Sequence, residues 1–388
     1  MSLYGIAVIP VLIWTYLLIG RGRFWRVVAR RARVLRQAHA RRVVVVMPAR
    51  NEAAVIGTAV TSLARQAFNG LIHIIVIDDS STDGTAEAAL GAARTCGAVP
   101  RFTLLRGAAL PTGWTGKLWA LSQGVAAAAQ LNADYLLFSD ADICHAPTSV
   151  ASLVADADAH DRDLVSRMVK LSTATSAERL LIPAFVFFFF KLYPPAWVAD
   201  PRRKLAAAAG GCILIRPEAL ARAGGLQSIR SHIIDDCALA RAVKNSGSRI
   251  SLELAADTTS LRSYGSFAAL GAMISRTAFA QLRHSYPLLA LTLLGLVVTY
   301  LLPVVVLFSG KAIAVCLGLA ALLLMSLCYL PMVRFYGLSP LFSLCLPLIA
   351  AFYIGAVIHS VVQYTRGSGG RWKGRLQDAS ARQRTPRA

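Results

Sequence analysis

Ser139-Asp140-Ala141-Asp142 follows directly on the apolar run Tyr135–Phe138. Two carboxylates two residues apart at the end of a strand suit burial poorly, but they can offer oxygen ligands to one hard divalent cation, Mg²⁺ or Mn²⁺. Such a pair is a weak signal by itself, because acidic turns after strands are common. Here it has company. Val43–Met47 runs into Pro48-Ala49-Arg50-Asn51-Glu52, and Ile74–Ile77 runs into Asp78-Asp79-Ser80-Ser81-Thr82-Asp83-Gly84-Thr85. Asp78 and Asp79 can accept hydrogen bonds from a ligand, or form an Asx turn with Ser80 and Asp83 that opens the next helix. Downstream stands Ile233-Ile234-Asp235-Asp236-Cys237-Ala238-Leu239. Adjacent carboxylates there can raise a pKa into the range of a general base. Equally, they suit the first turn of a helix over 235–243. Lys117, in Gly113-Trp114-Thr115-Gly116-Lys117-Leu118, opens another predicted helix. A cation there opposes the helix dipole, a conflict that a bound phosphate would resolve; the plainer alternative is a solvated surface lysine.

The elements that must position these residues alternate. Strands are expected at Val43–Met47, Ile72–Ile77, Phe102–Leu105 and Tyr135–Phe138, and helices at Glu52–Gln66, Thr85–Ala93 and Leu118–Ala129. Fully apolar strands alternating with helices predict a parallel sheet covered on both faces. Ligands bind such sheets beyond the carboxyl ends of the strands, where Pro48, Asp78 and Asp140 all fall. One site therefore explains three motifs. Gly210–Ile215 reads as a further strand.

Of the 388 residues, 56% are hydrophobic, too many for an ordinary soluble domain, and the excess is localised. Leu3–Ile19 just reaches spanning length, and Leu288–Phe308, Ala312–Val333 and Leu341–Gln363 can each cross about 30 Å of hydrocarbon. A signal peptide is the competing reading of the N-terminus. No basic segment precedes the apolar run, whereas Arg21, Arg23, Arg26 and Arg30 follow it, which favours an uncleaved anchor. The net charge is +21. Nine Arg in the connector 21–42 and seven Lys or Arg against one acid in the tail 366–388 hold most of it. Both segments abut apolar spans, so anionic lipid is the simpler partner, and no nucleic-acid-binding motif accompanies them. The seven Cys show no zinc spacing and read as reduced structural thiols. Arg179–Val198 holds the aromatic run Phe185–Phe190, interrupted by Pro183, Lys191, Pro194 and Pro195. It is expected either at the membrane interface, guiding a lipid, or in the core under the sheet.

Taken in order, the Pro48, Asp78, Asp140 and Asp235 motifs resemble those of the family 2 glycosyltransferases. The resemblance implies an α/β fold of the GT-A type over 43–285, a mostly parallel sheet with helices on both faces that binds a nucleotide-sugar donor. A transmembrane anchor (1–20) and a connector (21–42) precede that domain; transmembrane helices (286–365) and a basic tail (366–388) follow it. It further implies that Pro48, Arg50, Glu52, Asp78, Asp79, Lys117, Asp140, Asp235 and Arg276 hold the donor. Asp140 and Asp142 would hold Mg²⁺ or Mn²⁺, and Asp236 would deprotonate the acceptor hydroxyl. Processive members carry Gln/Arg-x-x-Arg-Trp before their C-terminal helices. Met273-Ile274-Ser275-Arg276-Thr277 keeps only the Arg, which points to a single transfer onto a lipid. Gln281-Leu282-Arg283, just before the first C-terminal span, is a further candidate for holding donor or acceptor. Gly113–Lys117, Ser139–Pro147 and Arg276–Arg283 carry a closer likeness to bacterial hopanoid-associated glycosyltransferases, relatives of the ceramide glucosyltransferases.

The expected protein is thus a multi-pass enzyme of the plasma membrane with its catalytic domain in the cytoplasm. Two alternatives stand beside it: a polyprenyl-phosphate sugar transferase, whose anionic acceptor needs little help from a base, and a membrane scaffold with a degenerate domain. One conflict attends the topology. Four spans would place the basic tail, with Arg371, Lys373 and Arg375, outside, against the positive-inside rule.

Overall fold

A computed structural model describes residues 2–30 and 40–366, together with the two-residue strands Arg371–Trp372 and Arg375–Leu376. Most of the basic tail and residues 31–39 of the connector lie outside the described residues. The sheet contains β1 (Ala29–Arg30), β2 (Arg41–Ala49), β3 (Gly70–Asp78), β4 (Phe102–Arg106), β5 (Tyr135–Ser139), β6 (Ile143–Cys144), β7 (Leu164–Lys170), β8 (Cys212–Ile215) and β9 (Ile250–Ser260). Its order is β1-β9-β7-β8-β5-β2-β3-β4, with β6 paired to the end of β9. β5, β2, β3 and β4 are mutually parallel, and β7 and β9 run parallel to each other; β8 is antiparallel to both its neighbours. The sheet is therefore mixed, with one reversed central strand inside a mostly parallel frame. That reversal lets the chain come back across the sheet between β5 and β7.

Strand β2 shows why the sheet is buried on both faces. Val43, Val45 and Met47 pack into one core with α2 (Ala53–Ala64), α3 (Thr85–Thr95) and α5 (Ser149–Ala159). Val44 and Val46 point the other way, onto α4 (Gly116–Ala128) and a larger core. A period of two thus divides one continuous apolar run between two cores. Helix α4 lies close to the sheet because Gly124 has no side chain; a Cβ there would run into Val46 and Ile77.

The larger core continues into the apolar helices. It takes in α6 (Ser176–Leu192), α7 (Pro195–Ala199), α8 (Pro217–Arg222), α9 (Asp235–Asn245) and α10 (Phe267–Gln281). Beyond α10 the chain forms α11 (Tyr286–Leu296), α12 (Leu302–Val305), α13 (Ala312–Phe335) and α14 (Leu346–Thr365). Among the described residues, four helical segments are long and apolar enough to cross a membrane: 176–199, 286–308, 312–335 and 340–365. The last three expose large apolar side chains to the outside, among them Leu291 (65%), Phe308 (85%) and Leu348 (65%). Such surface is costly in water and cheap in lipid. The N-terminal helix α1 (Leu3–Ile19) has 17 residues, enough for about 25 Å. It joins the same bundle: Trp14 Nε1 donates to the carbonyl of Thr299 at 2.9 Å, and its ring meets Tyr300 edge-on.

Segment 176–199 differs from the other three, because most of its apolar stretch is buried inside the protein. A capping box between Thr175 and Glu178 starts α6, and Pro183 sits within the helix without ending it. Phe187 is 1% exposed and packs against Phe24, Phe188 and Tyr329, while Phe188 meets Tyr300 and Tyr353. The aromatic run is therefore not a lipid-facing guide. It is the packing that joins the sheet domain to the apolar bundle. Phe187→Ala should accordingly cost about 3–5 kcal/mol of stability, read as a lowered thermal midpoint of the full-length protein in detergent. An unchanged midpoint would show that this joint does not hold the two parts together.

Candidate active site

Because β2, β3, β4 and β5 are parallel, their carboxyl ends lie at one edge, and the end of β9 reaches the same edge through β6. A cavity of about 190 Å³ opens there. Pro48 and Glu52 follow β2, Asp140 and Asp142 follow β5, and Lys117 comes from the first turn of α4. Asp235 comes from the first turn of α9 and Arg276 from α10. Seven of the predicted residues thus share one cavity, although they span more than two hundred positions of sequence.

Lys117 ties the parts together. Its Nζ lies 2.8 Å from Asp140 Oδ1 and 3.4 Å from Asp235 Oδ2. Burial opposes its charge, but Asp140, Asp235 and Asp236 reverse that effect and hold its pKa above the ordinary lysine value. It is not a solvated surface lysine. Burial, opposed by Lys117 and reinforced by Asp142, raises the pKa of Asp140.

Asp236 lies beside this cavity in a tight recess with Lys117, Asp140 and Gly210. Its Oδ2 accepts from the Gly210 N–H at 2.9 Å and its Oδ1 from the Cys237 N–H at 2.7 Å. A Cβ on Gly210 would come within 3.1 Å of Lys117 Nζ and 3.4 Å of Asp236 Oδ2, so glycine leaves room for this approach. Burial first, and then the charge of Asp235, push the Asp236 carboxyl up to about 6. A carboxyl poised there is half-ionised near pH 6 and mostly ionised at neutral pH, where it can take a proton from a hydroxyl.

Asp78, Asp79 and Arg50 stand apart from the cavity lining. Asp78 Oδ1 accepts from the Ser81 N–H at 3.1 Å, the expected Asx turn. The Asp79 side chain is 2% exposed, with Arg50 Nη1 3.7 Å from its Oδ2. Arg50 also donates to the Asp79 carbonyl. Asp83 accepts from the Ala53 N–H at 3.0 Å, at the start of α2, and from the Thr85 N–H at 3.1 Å, at the start of α3. This motif builds the rim on which Glu52 sits, and its roles in turns and caps are plain.

Three contributors were not legible in the sequence. Arg262, just past β9, donates through Nε to Asp142 Oδ2 at 2.9 Å and pairs with Glu52 through Nη2. Burial opposes its charge, but Asp142 and Glu52 keep its pKa above the usual value. Glu178 accepts from the Tyr264 N–H at 2.7 Å and from Ser263 Oγ at 2.9 Å, which fixes the loop carrying Arg262 and Tyr264 to the start of α6. His145, buried and kept neutral by burial, which lowers its pKa to about 4, meets Ser139 Oγ at 2.9 Å and braces the strand end that carries Asp140. His145 lies in the same stretch as Asp142, but no motif links Arg262 or Glu178 to it in sequence; only the return of β9 to the same edge brings Arg262 there.

Among the described residues no group of three or more His, Cys, Asp or Glu is placed to hold a metal. Asp140 and Asp142 still fit a divalent ion, since Mg²⁺ usually takes one or two carboxylates and completes its shell with phosphate and water. The charges agree. Glu52, Asp140, Asp142 and Asp235 face only Lys117, Arg262 and Arg276 in the lining, before any anionic ligand arrives.

Residues 44–222 match the family described as Glycosyl transferase family 2. Fold and site together define the class: residues 44–222 are similar to the glycosyltransferase family 2 model, and the sheet that holds them has a GT-A-like fold. Among solved structures it is similar to the mannosyltransferase PcManGT from Pyrobaculum calidifontis, in complex with GDP-Man and Mn²⁺. That match has 18% identity and a TM-score of 0.58, and covers 93% of this chain and 99% of that one. It extends over the sheet domain and the apolar helices alike, and it concerns the fold. Weaker likenesses are to S. aureus TarS (17% identity, TM-score 0.40, 62% of this chain and 40% of that one) and to glucosyl-3-phosphoglycerate synthase from Mycobacterium tuberculosis (22% identity, TM-score 0.38, 60% and 76%). No curated protein matches the sequence.

Proposed function

We propose that this chain is an inverting, metal-dependent glycosyltransferase that moves a sugar from a nucleotide-sugar donor, of the UDP-sugar class, to a hydroxyl of a membrane lipid. The observation that carries the reading is the position of Asp236 beside Lys117 and Asp140, next to a cavity whose wall, α10, leads straight into the first C-terminal apolar helix. A hydroxyl arriving from the bilayer reaches a base with a pKa near 6. The Asp235-Asp236 motif and the missing Trp after Arg276 favour one transfer to a neutral lipid, and the hopanoid-type likeness names the acceptor class.

In this mechanism Lys117 and Arg276 face the donor diphosphate from opposite elements of the cavity. Among the described residues Arg276 forms no ion pair, which leaves its guanidinium available to phosphate. A divalent ion on Asp140 and Asp142 would neutralise charge on the departing nucleoside diphosphate. Asp236 takes the hydroxyl proton as the acceptor oxygen bonds to the anomeric carbon, and the bond from that carbon to the phosphate oxygen breaks on the opposite face. The electron pair leaves with the diphosphate, and the configuration inverts. The Gly210 and Cys237 N–H groups hold the Asp236 carboxylate in place throughout.

PcManGT, similar in fold, is solved with a nucleotide sugar and Mn²⁺, which supports the metal part of the reading. We place the catalytic domain on the cytoplasmic side of the plasma membrane. Arg21 and Arg23 flank α1 on the domain side; Arg21 donates to the Lys191 carbonyl and stacks on Trp197, as an interfacial arginine does. The test is incubation of purified protein with UDP-sugar, Mn²⁺ and a hydroxyl-bearing hopanoid, with lipid products read by mass spectrometry. A sugar-bearing lipid is expected. Absence of donor binding by calorimetry, with or without metal, would leave a non-catalytic scaffold as the better account.

The pH profile follows from Asp236. The base works ionised, so kcat/KM should rise with pH through an acid limb near 6. Asp235 is one cause of that elevation, so Asp235→Asn should move the limb to lower pH. A limb that stays put would assign the titration to another group.

A further inference from the structure

A second cavity, of about 460 Å³, meets the first at Ile233 and is also lined by Cys237 and Ala238, which follow Asp236 on α9. Its other wall is the last turn of α10 and the link into α11, where the chain reaches the apolar bundle. Its charged side chains are Arg241 and Arg283, with the imidazoles of His232 and His284 beside them, and among the described residues no carboxylate lines it. Arg283, which in sequence reads as a residue for donor or acceptor, does not line the donor cavity at all.

Neither the Arg241 nor the Arg283 guanidinium has a hydrogen bond or an ion pair among the described residues. Both are exposed. Arg283 and His284 are held at φ of 53° and 54°, a left-handed backbone that persists only where its surroundings over-determine it. The His284 ring stacks on Tyr364 and meets Phe279 edge-on, and Phe279 also contacts Tyr286. Such an aromatic group at the start of an apolar helix marks the level of the lipid head groups. Tyr193, whose hydroxyl accepts from Gln281 Nε2 at 2.6 Å, closes the inner end.

We infer that this cavity binds the phosphate of an anionic phospholipid from the adjoining leaflet, between Arg241 and Arg283, and so docks the Asp235–Asp236 turn against the membrane. Charge complementarity selects the occupant, since basic cavities at this level take anionic head groups. The inference rests on the membrane placement of α11, and not on the sugar transfer.

Native mass spectrometry of the full-length protein, released from nanodiscs of phosphatidylcholine mixed with phosphatidylglycerol, reads which lipid is retained. The wild type should retain phosphatidylglycerol in preference. At about 1 kcal/mol for each basic residue near the membrane surface, R241Q/R283Q should weaken that preference about thirtyfold, whereas R241K/R283K should keep most of it. A thermal midpoint shows whether each variant is folded, and if the double variant is not, the single charge reversal R283E serves in its place. Equal retention of the two lipids by the wild type, or an unchanged preference in the folded variant, overturns the inference. Displacement of the lipid by excess inorganic phosphate also overturns it, by showing a site for soluble phosphate. The measurement needs no sugar transfer, so its failure leaves the proposed reaction standing.

Discussion

Asp236→Asn is expected to lower kcat/KM by about 10²–10⁴-fold, the usual contribution of a positioned base, while nucleotide-sugar binding stays close to normal. The substitution is nearly isosteric, and the amide oxygen can still accept from the Gly210 N–H that now meets Oδ2 at 2.9 Å. The recess with Lys117 and Asp140 therefore keeps its shape. What disappears is the one acceptor of a proton poised near pH 6. Loss of the negative charge also removes one of the groups that favour the charged form of Lys117, but Asp140 and Asp235 remain within 3.4 Å of its Nζ. The kinetic split is diagnostic. A fall in kcat with unchanged donor affinity marks an interaction made in the transition state. Near-normal turnover would instead favour an acceptor that arrives as an anion, as a polyprenyl phosphate does.

Removal of divalent metal should abolish turnover, and Mn²⁺ or Mg²⁺ should restore it. The physical reason is the charge of the cavity. Four carboxyl groups line it against three cations, and two of those cations already pair with the Asp140 and Asp142 carboxylates. A diphosphate brought into that balance meets a surplus of negative charge unless a divalent ion enters with it. On the proposed reading Asp140→Ala should reproduce much of the loss, because it would remove the proposed metal ligand and also a partner of Lys117. The measurement is activity in chelator, then on titration with each ion, beside calorimetry of the donor in both states. Full turnover in chelator would hand the diphosphate to the cations of the cavity alone, and would make Arg276→Gln, which removes the arginine without an ion pair among the described residues, strongly damaging.

The sheet domain was readable because its physics is local. Apolar runs such as Val43–Met47 and Ile72–Ile77 appear in the structure as strands, extended by one to two residues at each end, since burial on both faces demands a continuous apolar stretch. The helix expected from Leu118 starts at Gly116. By contrast, Gly210–Ile215 reads as a strand, but the reversed pairing of β8 and the pairing of β7 with β9 span 47 to 89 positions of sequence, and nothing local announces those pairings.

The aromatic run at Phe185–Phe190 shows the same limit from the other side. Its composition is equally compatible with a lipid face and with a core, and the prolines around it suggested an interrupted segment. Only the packing of Phe187 against Tyr329 and of Phe188 against Tyr353 decides for the core. Pro183 is accommodated inside α6 because the helix is held by its neighbours on most sides.

For the site, residue type at a strand end was enough to nominate Asp140 and Asp142, because a parallel sheet collects its strand ends at one edge. Lys117 and the Asp235–Asp236 pair stood out at helix starts, and Pro48, Glu52 and Arg276 came from the family resemblance. Charge balance was beyond reach of the sequence. Whether Lys117 is solvated or buried between Asp140 and Asp235, and whether Asp142 meets Arg262 from a strand more than a hundred residues away, are matters of distance in space. Electrostatic energies fall off with separation and grow with burial. Both are properties of the folded chain, so the residues were set by sequence and their working charges by the tertiary structure alone.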